Sequence, residues 1–495
     1  MSLNPDTCSR ARLARDKRFD GCFYTAVKTT GIFCRPICPA RAPLERNVEY
    51  FVTAAEAAAA GYRPCLRCRP DAAPGSPAWE LVSTTVQRAL NLMRREREAQ
   101  SIEQLAVRLG ISSRYLRKLF TEYVGLSPLQ VWQTERALFA FSLLRDTRLP
   151  VSEIAFASGF NSLRRFNGVF RDIYRRTPSE VRREERAGRA SRGGANEPVR
   201  LYLSSRPPFD WPQLLSFFSA RTVPGVELVI AGDTPEAGIY QRSFDLEGQR
   251  GLLRVRNQSH KDRLEVEVLA GRSGAVLYQV REKLRRLFDL DADSEEIRGH
   301  LALDPLLASV LAQNPGVRLP GAWDPFEYAL RAILGQQISV AAATTIAGRV
   351  VSTYGSSFVG SDDQEYRLFP DPEQLSDADF SSIGVTRTRA QTLRNFVAAT
   401  RNGEIDFAEP ELETWCRQVT ALPGIGDWTA HYTAMRGLSM PDAFPASDLG
   451  VLIALGGDDK KATPKQALAR AESWRPWRAY AALLLWQSLK LRQTS

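Results

Sequence analysis

Four cysteines in two tight pairs constrain this chain more than any other feature. Cys34-Arg-Pro-Ile-Cys38 is followed by Cys65-Leu-Arg-Cys68, and each spacing lets two sulfurs converge on one ion. Two such pairs complete a tetrahedral site of the zinc type. A segment built on that site can fold around the metal without a large apolar core of its own. Cys8 and Cys22 lie outside the paired spacing and read as ordinary thiols. The N-terminal stretch lacks the apolar core of a secretory signal, and no run approaches the ~20 apolar residues of a membrane span. The expected compartment is the reducing cytoplasm, where cysteines serve as thiols or metal ligands rather than disulfides.

Charge divides the 495 residues, which leave room for three or four domains. Residues 1–200 hold 34 Lys/Arg and 20 Asp/Glu, a net of +14; the remainder holds 32 and 36, a net of −4. The basic part suits nucleic acid or another anionic surface. A hydrophobic share of 44% with 25% charged residues excludes a disordered chain.

Residues 28–70 read KTTGIFCRPICPARAPLERNVEYFVTAAEAAAAGYRPCLRCRP. They resemble the N-terminal domain of the Ada alkylation-response family. The resemblance implies one zinc ion on Cys34, Cys38, Cys65 and Cys68, with Cys34 also accepting a methyl group irreversibly from a DNA phosphotriester. Four thiolates on one divalent ion leave a charge of about −2, and the metal keeps sulfur nucleophilic at neutral pH. Methylation removes one negative charge beside the phosphate backbone, which should strengthen DNA binding.

After the linker DAAPGSPA (71–78) the pattern is helical to about residue 186. SIEQLAVRLG places Ser101 and Gln104 as a capping box and Ile102, Leu105, Ala106 and Leu109 on one face. Gly110 breaks it, and SSRYLRKLFTEYVG resumes with Leu116, Leu119, Phe120 and Tyr123 inward. VSEIAFASGF, broken at Gly159, repeats the arrangement before NSLRRFNGVFRDIYRRTP, with Leu163, Phe166 and Phe170 inward. Helix, glycine turn, helix is a helix-turn-helix. Two of them joined by LQVWQTERALFAFSLL resemble the AraC-type DNA-binding domain, which sets two recognition helices into major grooves about 34 Å apart. Arg114, Arg117 and Lys118 with Ser113 face outward in the first, and Arg164, Arg165 and Arg171 with Ser162 in the second. Such arginines contact phosphates or guanine edges.

Beyond the linker AGRASRGGANEP, the segments VRLYLSS, GIYQRSF, GLLRVRN and RLEVEVLA alternate as strands around the helix PPFDWPQLLSFFSAR. From about Val280 onward the expectation is helix after helix. Leu422-Pro423-Gly424-Ile425-Gly426 runs into a helix, so loop N–H groups and a helix N-terminus can hold a phosphate without reading sequence. That hairpin and Asp448 in FPASDLGVL resemble the helix-hairpin-helix glycosylases. The likeness to the AlkA family runs through nearly all of 199–495, on RPPFDW, RLFDL, VRLPGAWDPFEYALRAILGQQISV, LPGIGDWTA and RPWRAYAALLLW. It implies Asp448 as catalytic carboxylate, with Asp442 the alternative. It implies a flipped-base pocket lined by Phe217, Trp428, Tyr432 and Trp486, hairpin contacts from Leu422, Gly424 and Gly426, and a monovalent cation at the hairpin. Where AlkA carries a leucine wedge this chain has Gln337, so Gln337 or Ile338 must fill the vacated stack.

Three absences sharpen the expectation. Relatives that also nick DNA carry a lysine where this chain has Trp428, so base excision should leave an abasic site. No four-cysteine array follows Cys416, and no Pro-Cys-His-Arg methyltransferase motif occurs. The fold class expected is multidomain and mainly α. It comprises a zinc domain (1–72), an AraC-type double helix-turn-helix (79–186), an α/β cap (199–282) and an all-α helix-hairpin-helix glycosylase domain (283–495). The function expected is a glycosylase for alkylated bases fused to a methylation-activated regulator. Its partners would be alkylated and promoter DNA and RNA polymerase, with a place in the nucleoid and none at a membrane. The alternatives are a regulator whose second half binds DNA without catalysis, and a glycosylase whose first half only targets it.

Overall fold

The structure is a computed structural model. It describes the chain except residues 1–3, 16–18, 20–22, 37, 39–41, 53–55, 58–59, 66–85, 87–88, 91, 94–100, 148, 188–197, 270–273, 361, 410, 457–460 and 495. Cys22, Cys68 and most of both linkers therefore lie outside the described residues. The chain divides into two compact units, Met1–Ser204 with Gly271–Glu282, and Ser205–Ala270 with Lys283–Ser495. Among the described residues no helix is long and apolar enough to cross a membrane.

The first unit opens with helix α1 (Pro5–Ala14), whose Cys8 and Ala11 pack on Phe23. Burial and the Glu45 carboxylate push the Cys8 thiol up, so it stays a thiol. Strands β1 (Tyr24–Val27), β2 (Ile32–Cys34), β3 (Val48–Phe51) and β4 (Arg63–Pro64) form a sheet in the order β3-β1-β2-β4. Among the described residues its core is Tyr24, Ala26, Phe33 and Ala57, with Phe51 and Tyr62 packed against them.

Helices α2 (Ile102–Arg108) and α3 (Ser113–Val124) follow, then α4 (Pro128–Asp146), then α5 (Val151–Ala157), α6 (Leu163–Tyr174) and α7 (Pro178–Ala187). Ser101 and Gln104 close the expected capping box on α2. Gly110 and Gly159 both adopt the left-handed φ (69° and 80°) that the two turns need. Ile102, Leu105, Ala106, Leu116, Leu119, Phe120, Phe166 and Phe170 are buried, and Phe170 stacks with Phe141 of α4. Leu163 corrects the expectation, being 39% exposed. It is the first residue of α6, where a side chain leans back past the helix start instead of onto the core.

The second unit begins with α8 (Trp211–Ser219), capped by Asp210. Strands β5 (Glu227–Ile230), β6 (Ile239–Leu246), β7 (Gln249–Gln258) and β8 (Arg263–Val268) make an antiparallel meander. β5 escaped the sequence reading because its four residues carry no alternation. A buried ion network joins this sheet to α9 (Pro325–Leu334). Arg242 reaches Glu227 at 2.7 Å and also pairs with Glu327, while Arg331 reaches both carboxylates at 3.1 Å. Arg331 also donates to the Arg221 carbonyl, which fixes the end of α8 against α9.

The helices that build the site then follow. These are α10 (Val340–Tyr354), α11 (Arg387–Arg401), α12 (Leu412–Thr420), α13 (Asp427–Gly437), α14 (Leu449–Gly456) and α15 (Arg478–Thr494). One departure interrupts them: Ser357–Val359 and Glu365–Arg367 pair as a small antiparallel hairpin.

Asp289 gives a testable consequence of this core. Burial lifts its carboxyl from 3.8 to about 6, against the opposing pull of Arg318, the Leu319 amide and Tyr480. A raised folded-state value means that the folded protein holds the proton more tightly. The stability this supplies is complete below 3.8 and is lost as pH rises through 6. Asp289→Asn keeps an acceptor and removes the buried charge. The variant should gain on the parent between about pH 4 and pH 6, by up to about 3 kcal/mol, and hold that margin above. Paired denaturant titrations at pH 4.5, 6 and 7.5 measure the difference.

Candidate active site and metal centre

α13 presents Trp428, Tyr432 and Arg436 at four-residue intervals, so all three share one face. The Trp428 and Tyr432 rings stack at 5.0 Å and 16°, and Trp486 of α15 meets Tyr432 edge-on at 6.1 Å. The Asp448 carboxylate lies between the two indoles. Trp428 Nε1 donates to Oδ2 at 2.9 Å and Trp486 Nε1 to Oδ1 at 2.8 Å. Oδ1 also accepts from the Val451 amide at 3.1 Å, so Asp448 caps α14. The helix-cap role and the site role belong to the same side chain. Asp442, the alternative carboxylate, is committed elsewhere: Arg478 grips it with bonds of 2.7 and 2.9 Å, and Arg475 pairs with it too.

Phe217 joins the same nest through cations that sequence reasoning missed. Arg221 lies 3.8 Å and Arg436 4.5 Å from its ring centroid. Arg436 donates to Tyr328 Oη at 2.7 Å and to Tyr432 Oη at 3.4 Å. Burial pushes the Tyr432 phenol up, but Arg436 and Arg221 outweigh it and hold the group down at about 8. The signal was present in the spacing: each arginine stands four residues after an aromatic, Arg221 after Phe217 and Arg436 after Tyr432.

The hairpin immediately precedes α13. Trp415 of α12 donates to the Ala430 carbonyl of α13 at 3.1 Å, which locks the two helices together. Between them Leu422 is half-buried, Ile425 is buried, and Gly424 and Gly426 are exposed. The N–H groups of those two glycines find no acceptor among the described residues. Gly424 has φ +89°, and a Cβ there would lie 2.0 Å from Thr392 Oγ1. Gly424→Ala must therefore open the loop, and should weaken binding to a duplex carrying a tetrahydrofuran abasic analogue at least tenfold when excess undamaged duplex occupies the helix-turn-helix half. A filter-binding titration checks this, and trimming the obstacle with Thr392→Ala should restore part of the loss.

The loop joining α9 to α10 leans on the hairpin. Gln336 Nε2 donates to the Gly424 carbonyl and to Thr429 Oγ1, both at 3.0 Å, and Arg389 of α11 donates to the Gln336 carbonyl. Gln337 is exposed and Ile338 half-buried.

In the first unit, the sulfurs of Cys34, Cys38 and Cys65 all lie within 4.8 Å of one another, and those of Cys38 and Cys65 are 3.9 Å apart. A tetrahedral ion with bonds of about 2.3 Å needs sulfurs about 3.8 Å apart, so this set fits zinc. The sheet builds the cluster: Cys34 ends β2 opposite Thr25, and the Cys65 amide donates to the Phe33 carbonyl at 2.9 Å. Arg114, Arg117, Lys118, Arg164 and Arg165 are exposed on α3 and α6, Arg117 in an ion pair with Glu103 at 2.9 Å.

A helix-hairpin-helix fold with an aspartate held between indoles defines a DNA glycosylase class of site, here in one chain with a thiolate metal site and two helix-turn-helix motifs. Family models match in four blocks: the metal binding domain of Ada (7–71), a helix-turn-helix domain (105–184), the AlkA N-terminal domain (200–324) and the HhH-GPD superfamily of base excision DNA repair proteins (330–478). A probable bifunctional transcriptional activator/DNA repair enzyme AlkA of Mycobacterium tuberculosis is 38% identical over 487 residues, 98% of this chain and 96% of that protein. The DNA-3-methyladenine glycosylase 2 of Escherichia coli is 34% identical over 57% of this chain and 95% of its own length. The 3-methyladenine DNA glycosylase of Archaeoglobus fulgidus superposes with a TM-score of 0.51 at 21% identity, over 58% of this chain and 96% of that one, a likeness of fold. The chain belongs to the family of bifunctional transcriptional activator/DNA repair enzymes that combine an Ada-type zinc domain and helix-turn-helix with an AlkA-type glycosylase.

Proposed function

We propose that the second unit is a monofunctional DNA glycosylase releasing alkylated purines of the 3-methyladenine type, and that the first is a regulator switched by methyl transfer to Cys34. The observation that carries the reading is the Asp448 carboxylate fixed between Trp428 and Trp486 beside the Tyr432 ring. A cationic base extruded from the helix is attracted to those electron-rich faces. As the N-glycosidic bond lengthens, positive charge gathers on the sugar, and the fixed carboxylate stabilises it while orienting water for attack. Leu422, Gly424 and Gly426 hold the backbone through the hairpin, with a monovalent cation there. Gln337 or Ile338 fills the vacated stack. Release of 3-methyladenine from methylated DNA, and its loss on neutralising Asp448, tests this half.

In the first unit Cys34, Cys38 and Cys65, with Cys68, would hold zinc. When bound, the metal keeps the sulfurs deprotonated and nucleophilic. Cys34 Sγ attacks the methyl carbon of a phosphotriester; an S–C bond forms, the C–O bond breaks, and the phosphodiester anion leaves. Arg114, Arg117, Lys118, Arg164 and Arg165 then contact promoter DNA, where the protein recruits RNA polymerase within the nucleoid. Transfer of a labelled methyl from phosphotriester DNA to Cys34 tests this half.

A further inference from the structure

Among the residues of the α9–α10 loop, Gln337 stands apart. Its φ is +58°, a left-handed conformation that a glutamine adopts only under constraint, and its side chain is exposed. Its neighbours are all tied down. Gln336 is held on three sides by Gly424, Thr429 and Arg389. The Ile338 amide donates to the Gly335 carbonyl at 3.4 Å, and Ser339 caps α10 through the Ala342 amide at 3.2 Å. The Gln337 carboxamide has no hydrogen-bond partner among the described residues. The loop thus spends backbone strain on holding one polar tip outward, next to the hairpin that grips DNA.

We infer that Gln337, rather than Ile338, enters the stack vacated by the flipped nucleotide and pairs through its amide with the orphaned base of the opposite strand. The inference rests on the glycosylase reading given above. An apolar side chain would fill the gap by volume alone. A carboxamide brings one acceptor oxygen and an NH2 donor into a stack, where they must be satisfied. An orphaned pyrimidine answers both. Thymine offers N3–H beside a carbonyl, and cytosine offers N3 beside its N4 amino group. Rotating the amide by half a turn matches either pattern, and a purine lesion faces a pyrimidine. Gln337 therefore makes engagement of the flipped state depend on a base being present across from the lesion.

The test uses the full-length protein and short duplexes containing a tetrahydrofuran abasic analogue, so that the range of excised bases does not enter. The analogue faces thymine, cytosine or a second tetrahydrofuran, and excess undamaged duplex competes for the helix-turn-helix half. The wild type should bind the first two about tenfold more tightly than the third, within the discrimination that a bidentate side chain–base pair supplies. Gln337→Leu should bind all three alike, because it fills without bonding. Ile338→Ala should keep the contrast. Equal wild-type affinity for the three duplexes overturns the inference, as does a contrast that survives Gln337→Leu or disappears in Ile338→Ala. Asp448→Asn is the separating control. It should lose base release while keeping the binding contrast, so failure of the glycosylase reading shows in release and failure of this inference shows in binding.

Discussion

Asp448→Asn lowers release of 3-methyladenine from methylated DNA by about a thousandfold or more, while the glycosylase unit stays folded. The substitution is isosteric, so what changes is charge. Three N–H groups point at the carboxylate: the Trp428 and Trp486 indoles and the Val451 amide. An asparagine oxygen placed where Oδ1 lies keeps two of them, because Trp486 and Val451 share that atom. Its NH2 then faces the Trp428 indole donor to donor, which costs about 1–2 kcal/mol. Asparagine is as good an N-cap as aspartate, so α14 keeps its start. A fall in melting temperature of a few degrees is expected. The lost rate has a different origin: the sugar cation no longer finds a negative charge.

The comparison with Asp442 separates chemistry from folding. Asp442→Asn breaks the paired bonds from Arg478 and the contact with Arg475, so it should destabilise the unit and leave the rate per folded molecule nearly unchanged. If Asp448→Asn releases 3-methyladenine at the wild-type rate, Asp448 is not the catalytic carboxylate. If both variants lose stability and activity in proportion, Asp448 is only a helix cap.

How much of this was legible in the chain depended on how local the signal was. The helix-turn-helix pair was readable because its cues sit within ten residues: a capping box, a 3.6-residue apolar period and a glycine at each turn. Leu163 was misplaced because periodicity does not know where a helix begins. The metal ligands were readable because cysteines at such spacing have few other uses, and three of them converge as expected. The aromatic pocket was reached only through family resemblance, because Trp428 and Trp486 stand 58 positions apart and only the tertiary fold brings both indoles to Asp448. The braces on the α9–α10 loop were not readable at all. Arg389, Gln336 and Thr429 meet over separations that carry no pattern in one sequence. Net charge was also a poor guide: the half with a net charge of −4 carries the aromatic pocket and the hairpin, whose Gly424 and Gly426 are exposed.

Cys34→His ends methyl acceptance altogether while leaving a fourth metal ligand in place. Imidazole nitrogen binds zinc as thiolate sulfur does, so the variant should retain bound zinc and the fold of the sheet. Cys34→Ala should instead lose metal and destabilise the domain, in which the metal ties β2 to the segment after β4. In the wild type, labelled phosphotriester DNA should transfer about one methyl per chain; in Cys34→His the label should fall to background. Label that persists, on Cys38 or elsewhere, moves the acceptor away from Cys34. Methylation also changes the electrostatics. A thiolate site of charge about −2 becomes one of about −1, and the repulsion between the domain and DNA phosphates falls. Methylated protein should bind its promoter about tenfold more tightly at low salt, with the advantage shrinking as salt screens it. Cys34→His replaces the same negative ligand with a neutral one, so its unmethylated form should already bind with the tighter affinity. A histidine variant that binds no better than unmethylated wild type would show that the switch works through shape instead of charge.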